Sequence, residues 1–402
     1  MNLILQSDVS DAVVNTLKSW GFWSAIIATI VVIGLGFLLT RKNILKKEWD
    51  KVLIKMVMII GLPALALQGF LTDITLKQLT SEGFVLLTGF LFYGIMVFGA
   101  RLFYLKYDKD IQDTLTMCTA LASTTFFGIP IVRELFGDGS LITANMFNVP
   151  YRIFLYSLGF MIMSQKHIGA ALSRKEKKAM ELLAIPNKEK NPEGYAKYQE
   201  KKIVQRNTNL KNIFLNPILI CTFVGLFIWI TQLIPGINCV PGKPFGSTTD
   251  FSPLRIDLLF PPIAKILSVV AAICTPLVWV AIGMQLAAGD FKKAMRSKTV
   301  WYASIMKVVV APTIILCLTC IIAAIAFAGR GNEPAMTATA LGVLVIMTAT
   351  PPASVVVSYA IAYDKEPQLA SNLTLVSTLL SIITLPIWVI IVTAIGATPL
   401  FG

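Results

Sequence analysis

Charge is what this sequence has least of. Asp, Glu, Lys and Arg make up 14% of its 402 residues, against about 25% in an ordinary soluble domain. Even that share is gathered in one place, because residues 165–211 hold 12 Lys/Arg and 5 Glu in 47 positions. The other 355 residues carry 40 charges. Histidine is nearly missing as well: the sole one, His167, falls in the charged segment. A Ser/His intramembrane protease therefore has no base, an HExxH zinc site has no ligands, and no paired membrane Asp serves an aspartyl protease. No Walker-type phosphate loop occurs, so nothing on this chain couples to ATP. No enzyme activity, metal or cofactor is expected.

What is there is apolar. Hydrophobic residues make up 55% of the chain and mean hydropathy is +0.72, which points to an all-α polytopic membrane protein. A helical crossing needs about 20 mostly apolar residues. Ten such stretches lie roughly at 20–40, 52–71, 83–104, 112–136, 141–164, 212–235, 259–288, 299–327, 334–363 and 367–396. Basic residues follow the first span (Arg41, Lys42, Lys46, Lys47, Lys51) rather than lead it, the reverse of a cleavable signal peptide. Loops after the odd-numbered spans carry 25 Lys/Arg, while the alternate loops and termini carry 6. The positive-inside bias then puts both termini outside and the charged loop 165–211 in the cytoplasm. The net charge of +13 belongs to this topology, so no nucleic-acid partner is expected. Of six cysteines, only Cys239 lies in an outer loop, and no disulfide framework is expected.

Five spans per half is an odd number, so similar halves would cross the membrane in opposite senses. Pro63 in span 2 pairs with Pro276 in span 7, and Phe127-Gly128-Ile129-Pro130 in span 4 pairs with Thr350-Pro351-Pro352 in span 9. A proline removes a helical donor and clashes with the preceding turn, so spans 4 and 9 are expected to break near mid-membrane. Half-helix N-termini after Pro130 and Pro352 would offer N–H groups to an anion. The hydroxyls flanking the breaks (Ser123, Thr124, Thr125, Thr348, Thr350, Ser354) either line that site or only re-satisfy kinked backbone.

Four cations fall within spans, at an insertion cost of at least about 2.5–3.5 kcal/mol each at the bilayer centre. Lys55 and Lys265 are near helix ends and are expected to snorkel. Arg152 and Lys307 are deeper; each is either a functional charge or a tie to broken-helix carbonyls. No Asp or Glu is deep in any span, since Asp73, Asp113, Glu134, Asp257 and Asp290 lie near span ends. A carboxylate-based proton or sodium antiporter is thus disfavoured, and the site reads as cationic, suited to an anion.

Segments 123–159 (STTFFGIPIVRELFGDGSLITANMFNVPYRIFLYSLG) and 347–388 (MTATPPASVVVSYAIAYDKEPQLASNLTLVSTLLSIITLPIW) resemble the auxin efflux carrier family, which includes plant auxin exporters and bacterial malate or malonate permeases. Pro63, Pro276, residues 282–287 (IGMQLA) and the Lys307–Pro312 pair extend the likeness over most of the chain. The resemblance implies ten helices in two inverted five-helix repeats, with helices 4 and 9 broken and crossing. It also implies a scaffold, usually dimeric, of 20–71 and 212–288, for which the loop count makes 236–258 an outer loop and 1–19 an extracellular N-terminus. A transport unit of 83–164 and 299–396 would move as an elevator.

Alignment on Tyr156-Ser157 places Tyr151 and Arg152 where the family's span 5 side chains hold a substrate carboxylate. A full charge there, where plant members have an amide, argues against auxin and for a more highly charged anion. Arg152, Asn148 and Tyr151 are the expected binding residues, with Gln68 and Gln285 on the scaffold side, or in ordinary packing. Gly128, Ile129, Pro130, Thr350, Pro351 and Pro352 form the expected crossover, and Lys307 takes the place of a coupling cation. The reading is a plasma-membrane carrier of small carboxylates, a dicarboxylate such as malate or malonate first, working as a homodimer in the bilayer. The alternatives are an auxin-like monocarboxylate exporter, a transporter-like sensor or scaffold that binds without flux, and a channel. Pro130→Ala and Pro352→Ala are expected to impair uptake more than Pro63→Ala; equal losses would remove the case for two special breaks.

Overall fold

A computed structural model describes residues Val14, Lys18, 20–46, 48–164, 217–242, 250–289 and 291–401. The charged loop 165–211, with His167, and most of the stretch 1–19 lie outside the described residues. Each expected span coincides with helix. In chain order they are α1 (Trp20–Arg41), α2 (Trp49–Met56, a π turn Val57–Gly61, then Leu62–Gln68) and α3 (Leu76–Gly99). Next come α4 (Lys109–Ala120), α5 (a π turn Thr124–Gly128, then Ile129–Phe136) and α6 (Ser140–Phe154 and its continuation to Phe160–Ser164). After the charged loop follow α7 (Pro217–Thr231) and α8 (Pro261–Ala272 with Cys274–Ala288). The last are α9 (Lys298–Ile305, a π turn Met306–Val310, then Ala311–Gly329), α10 (Ala338–Thr348), α11 (Ser354–Ala362) and α12 (Pro367–Gly396).

The stretches Gln78–Tyr104, Pro261–Ala288, Lys298–Gly329 and Pro367–Gly396 are each long and apolar enough to cross a bilayer alone. Their outer faces expose large apolar side chains such as Leu102, Ile266, Ile325 and Ile383, which in water would be an aggregating surface and in lipid is a solvated one. This is an all-α polytopic membrane protein. Spans 4 and 9 are met as pairs of short helices: α4 has 12 residues, about 18 Å of rise, too little to cross.

Packing divides the helices into two groups. In the first, α1 lies along the second half of α8, and α2 packs on α7 and the first half of α8. Glycine sets the closest approach there: a Cβ on Gly283 would run into the Ile33 carbonyl oxygen, and one on Gly36 into that of Val280. Without a hydrophobic drive between helices in lipid, such backbone proximity is what dispersion needs. In the second group α3 packs on α6 and α9, while α12 packs on α9, α10 and α4.

Three helices treat proline in one way. Pro63, Pro130 and Pro312 each stand two residues after a π turn, and the residue before each donates to the carbonyl five back: Leu62 to Val57, Ile129 to Thr124, Ala311 to Met306. The widened turn makes room for the ring ahead of the point where it would clash. In α9 the carbonyl that Pro312 leaves without its donor, that of Val308, accepts instead from Trp388 Nε1 at 2.9 Å.

Buried ions tie the loops. Arg255 donates to Asp257, to Asp73 Oδ1 at 2.7 Å, to Gln232 and to the Leu71 carbonyl, clasping the α2–α3 loop, α7 and the approach to α8. In the α11–α12 turn, Asp364 and Glu366 both take left-handed backbone (φ 48° and 53°), each at a cost of about 1–2 kcal/mol. Between them Lys365, fully buried, reaches Asp113 Oδ2 at 2.9 Å and the Ile162 carbonyl at 2.8 Å. The strained turn is offset by that pair, and Pro367 then starts α12 where its missing donor costs nothing. Lys365→Met is expected to lower unfolding free energy in detergent by about 3 kcal/mol, because Asp113 loses its buried partner; a loss below about 1 kcal/mol would mean that Arg101 and Lys109 carry Asp113 alone.

Candidate functional site

Where spans 4 and 9 break, they pair. Leu121 to Ser123 run extended past Pro351 to Ala353 and form one antiparallel bridge, Ala122 opposite Pro352. Ser123 N–H donates to the Pro351 carbonyl at 2.7 Å, and Ala353 N–H to the Leu121 carbonyl at 2.9 Å. Pro352 occupies the non-hydrogen-bonded position of this bridge, where its lack of an N–H is harmless. The expected start of the second half-helix after Pro130 needs correction: α5 begins at Thr124 and Pro130 lies within its first α-helical turn. The π turn is the reason, since it lets helix resume before the ring. In span 9 the expectation holds, with α11 starting at Ser354 after Pro352.

Four helix ends meet here, and they are finished differently. The α4 end is tied by Lys307 Nζ, fully buried in the π turn of α9, which donates to the Thr119 carbonyl at 3.2 Å. The α10 end is closed by its own hydroxyls, Thr348 to Leu344 and Val345, Thr350 to Met347. At the two starting ends neither N-cap residue, Ser123 or Ala353, satisfies a first-turn amide through its side chain. Gly128 lets α5 approach α10, since a Cβ there would meet Met347 Cγ at 3.1 Å. Ile129 and Pro130 are buried beside it.

Next to the crossing, α6 presents Asn148, Tyr151 and Arg152 at i, i+3 and i+4, hence on one face. All three are buried. Asn148 Oδ1 accepts from Thr124 Oγ1 at 2.6 Å, which leaves its Nδ2 without a partner. Arg152 Nη1 donates to Thr222 Oγ1 of α7 at 2.7 Å, and Thr222 in turn donates to the Ile218 carbonyl. Arg152 Nη2 has no partner, and among the described residues no carboxylate pairs with it. The ring of Tyr151 is fixed against Tyr93 at 5.6 Å.

Two crevices flank the crossing and share Ser123, Phe126 and Ser354. One, about 30 Å³, adds Tyr151, Arg152, Tyr156 and Ala353; the other, also about 30 Å³, adds Gln285, Pro351, Pro352 and Thr378. The structure thus brings Asn148, Tyr151 and Arg152 together with both half-helix starts. Gln285 stands on the other side of the crossing and donates to Asp50 at 3.3 Å. Gln68, at the end of α2, lines neither crevice. Lys55 and Lys265 are exposed, unlike Arg152 and Lys307. Sequence reasoning missed Thr222, whose only signal is that it is the lone hydroxyl in the run Pro217–Trp229.

Broken helices that cross inside a polytopic bundle, with buried polar groups at the break, are the build of a membrane transporter. The sequence pattern of the family described as membrane transport protein matches residues 22–389, and the chain belongs to that family, the auxin efflux carrier type. None of the curated proteins compared with the chain matches it.

Ser123 already has φ −77°, which proline adopts, so Ser123→Pro should remove one bridge donor and little else. A loss of about 1–3 kcal/mol in detergent unfolding relative to Ser123→Ala is expected; equal stability of the two variants would show that the bridge bond contributes nothing.

Proposed function

We propose that the chain carries small organic anions, with a dicarboxylate of the malate or malonate type as first substrate, bound at the crossing. The observation that carries this reading is a set of donors without acceptors. Arg152 Nη2 and Asn148 Nδ2 are buried and unpartnered, and the starts of α5 and α11 lack side-chain caps. An uncompensated guanidinium in a low-dielectric interior is expensive, and an anion offsets that cost with charge-assisted bonds. One carboxylate fits the free edge of Arg152 with the Asn148 amide to orient it. A second fits the first-turn amides of the half-helices, where the helix dipole favours negative charge.

Motion follows from where the contacts lie. Arg152 belongs to α6 and Thr222 to α7, so their bond joins the two packing groups. Sliding the group of α3 to α6 and α9 to α12 past the other, as an elevator would, exchanges this bond for others. Lys307 stays within the moving group, holding the end of α4. The bias of 25 to 6 Lys/Arg in alternate loops supports termini outside the plasma membrane, and a homodimer belongs to the same proposal through the family likeness.

Thermal stabilisation of the purified chain against mono-, di- and tricarboxylates and auxin tests this directly. A dicarboxylate at a hundredfold excess over its Kd should stabilise the fold by about 2.7 kcal/mol, and Arg152→Gln should abolish the shift while leaving a folded protein. Stabilisation unchanged in the variant would take Arg152 out of the site.

A further inference from the structure

A second polar cavity, about 510 Å³, lies between the start of α3, the α5–α6 loop and the start of α10. Glu82 lines it from inside the apolar stretch Gln78–Tyr104. It lies in the second turn of α3, at the edge of the span, and is not among the span-end acids named from the sequence. Expected span 3 begins one residue later, whereas α3 starts a full turn and more before Glu82. The residue is only 4% exposed. Its Oε1 accepts from Thr143 Oγ1 at 2.6 Å, while its Oε2 and the adjacent Ser81 Oγ have no partner.

No described cation faces it. Of the elements packed on α3, α6 carries Arg152, held by Thr222, and α10 carries no charge. The α9 cations are Lys298 at its start and Lys307, which is on the Thr119 carbonyl. Lys109, Asp110 and Asp113 of α4 belong with Arg101 to the Lys365 cluster. At the near loops, Arg133 pairs with Asp138, Glu134 lines other cavities, and Arg330 and Glu333 are exposed. A hard metal cation would want about six oxygen ligands, with carboxylates among them; among the lining residues Glu82 is the one carboxylate. A proton needs one.

We propose that Glu82 is a proton-binding site, loaded and unloaded through the water of this cavity, and that its proton moves with the carried anion. Hydronium gives its proton to Oε2, forming the O–H bond and leaving water; release returns the proton to water. The neutral acid removes the cost of a buried, cation-free carboxylate, and Thr143 continues to donate to Oε1. Carrying a proton with a dianion also halves the net charge moved per cycle. The binding claim stands on this cavity alone, whereas the coupling claim rests on the carrier reading.

Infrared difference spectra of the whole purified chain, titrated from about pH 5 to about pH 9, separate the two. The expected result is a protonated-carboxyl band that titrates, shifts in Glu82→Asp and vanishes in Glu82→Gln. No such band in the natural sequence, or one unchanged in Glu82→Gln, would overturn the proposal. In liposomes loaded with a pH dye, malate entry should carry protons, and Glu82→Gln should keep malate counterflow but lose both dye signal and stimulation by a pH gradient. Proton-coupled entry retained in Glu82→Gln would overturn the coupling. If malate does not move but the band titrates and vanishes as stated, the proton site stands and the substrate reading falls.

Discussion

In hydrocarbon an unpaired backbone amide or carbonyl has no water to turn to, and each one costs several kcal/mol. That constraint explains why this chain breaks two helices at the same place rather than separately. Each break supplies what the other lacks: the N–H of Ser123 for the carbonyl of Pro351, and the N–H of Ala353 for that of Leu121. A single residue pair of β-bridge is enough because Pro352 asks for no partner. The ends left over are dealt with one at a time, by a lysine at α4 and by threonines at α10.

Polar pairing at the crossing is lopsided. Carbonyls of Thr119, Leu344, Val345 and Met347 have side-chain donors, while the helix starts have no side-chain cap and an amide and half a guanidinium have no partner. A fold that satisfied both signs equally would be a stable plug. The imbalance points to an anionic visitor and also sets where stability is low, since the same unpartnered groups weigh against the empty state.

The crossing itself was legible in the sequence because proline is a strong local signal and two of its clusters fall in otherwise apolar runs. Arg152 and Lys307 stood out for the same reason: a charge in a greasy run needs an explanation. Register was not legible. The π turns that move the start of α5 ahead of Pro130 leave no trace in composition, because they are read from backbone pairing alone. Thr222 and Glu82 were missed for opposite reasons. The first is one weak hydroxyl whose role depends on a helix seventy residues away in sequence; the second sits at the edge of an apolar run, where span boundaries are least certain. Lys365 reads as an ordinary loop cation until the turn shows that two strained residues point it inward.

A π turn holds one residue more than the α ladder needs. Past each such turn, every side chain is rotated by about 100° from where an unbroken helix would put it. Trp388 meets the carbonyl of Val308, and Lys307 meets that of Thr119, because of one extra residue between Met306 and Pro312. The gene is therefore far less tolerant of losing or gaining a codon in this greasy stretch than of exchanging one apolar residue for another. A deletion there would keep the helix and the hydropathy, and would turn the lysine away from the break.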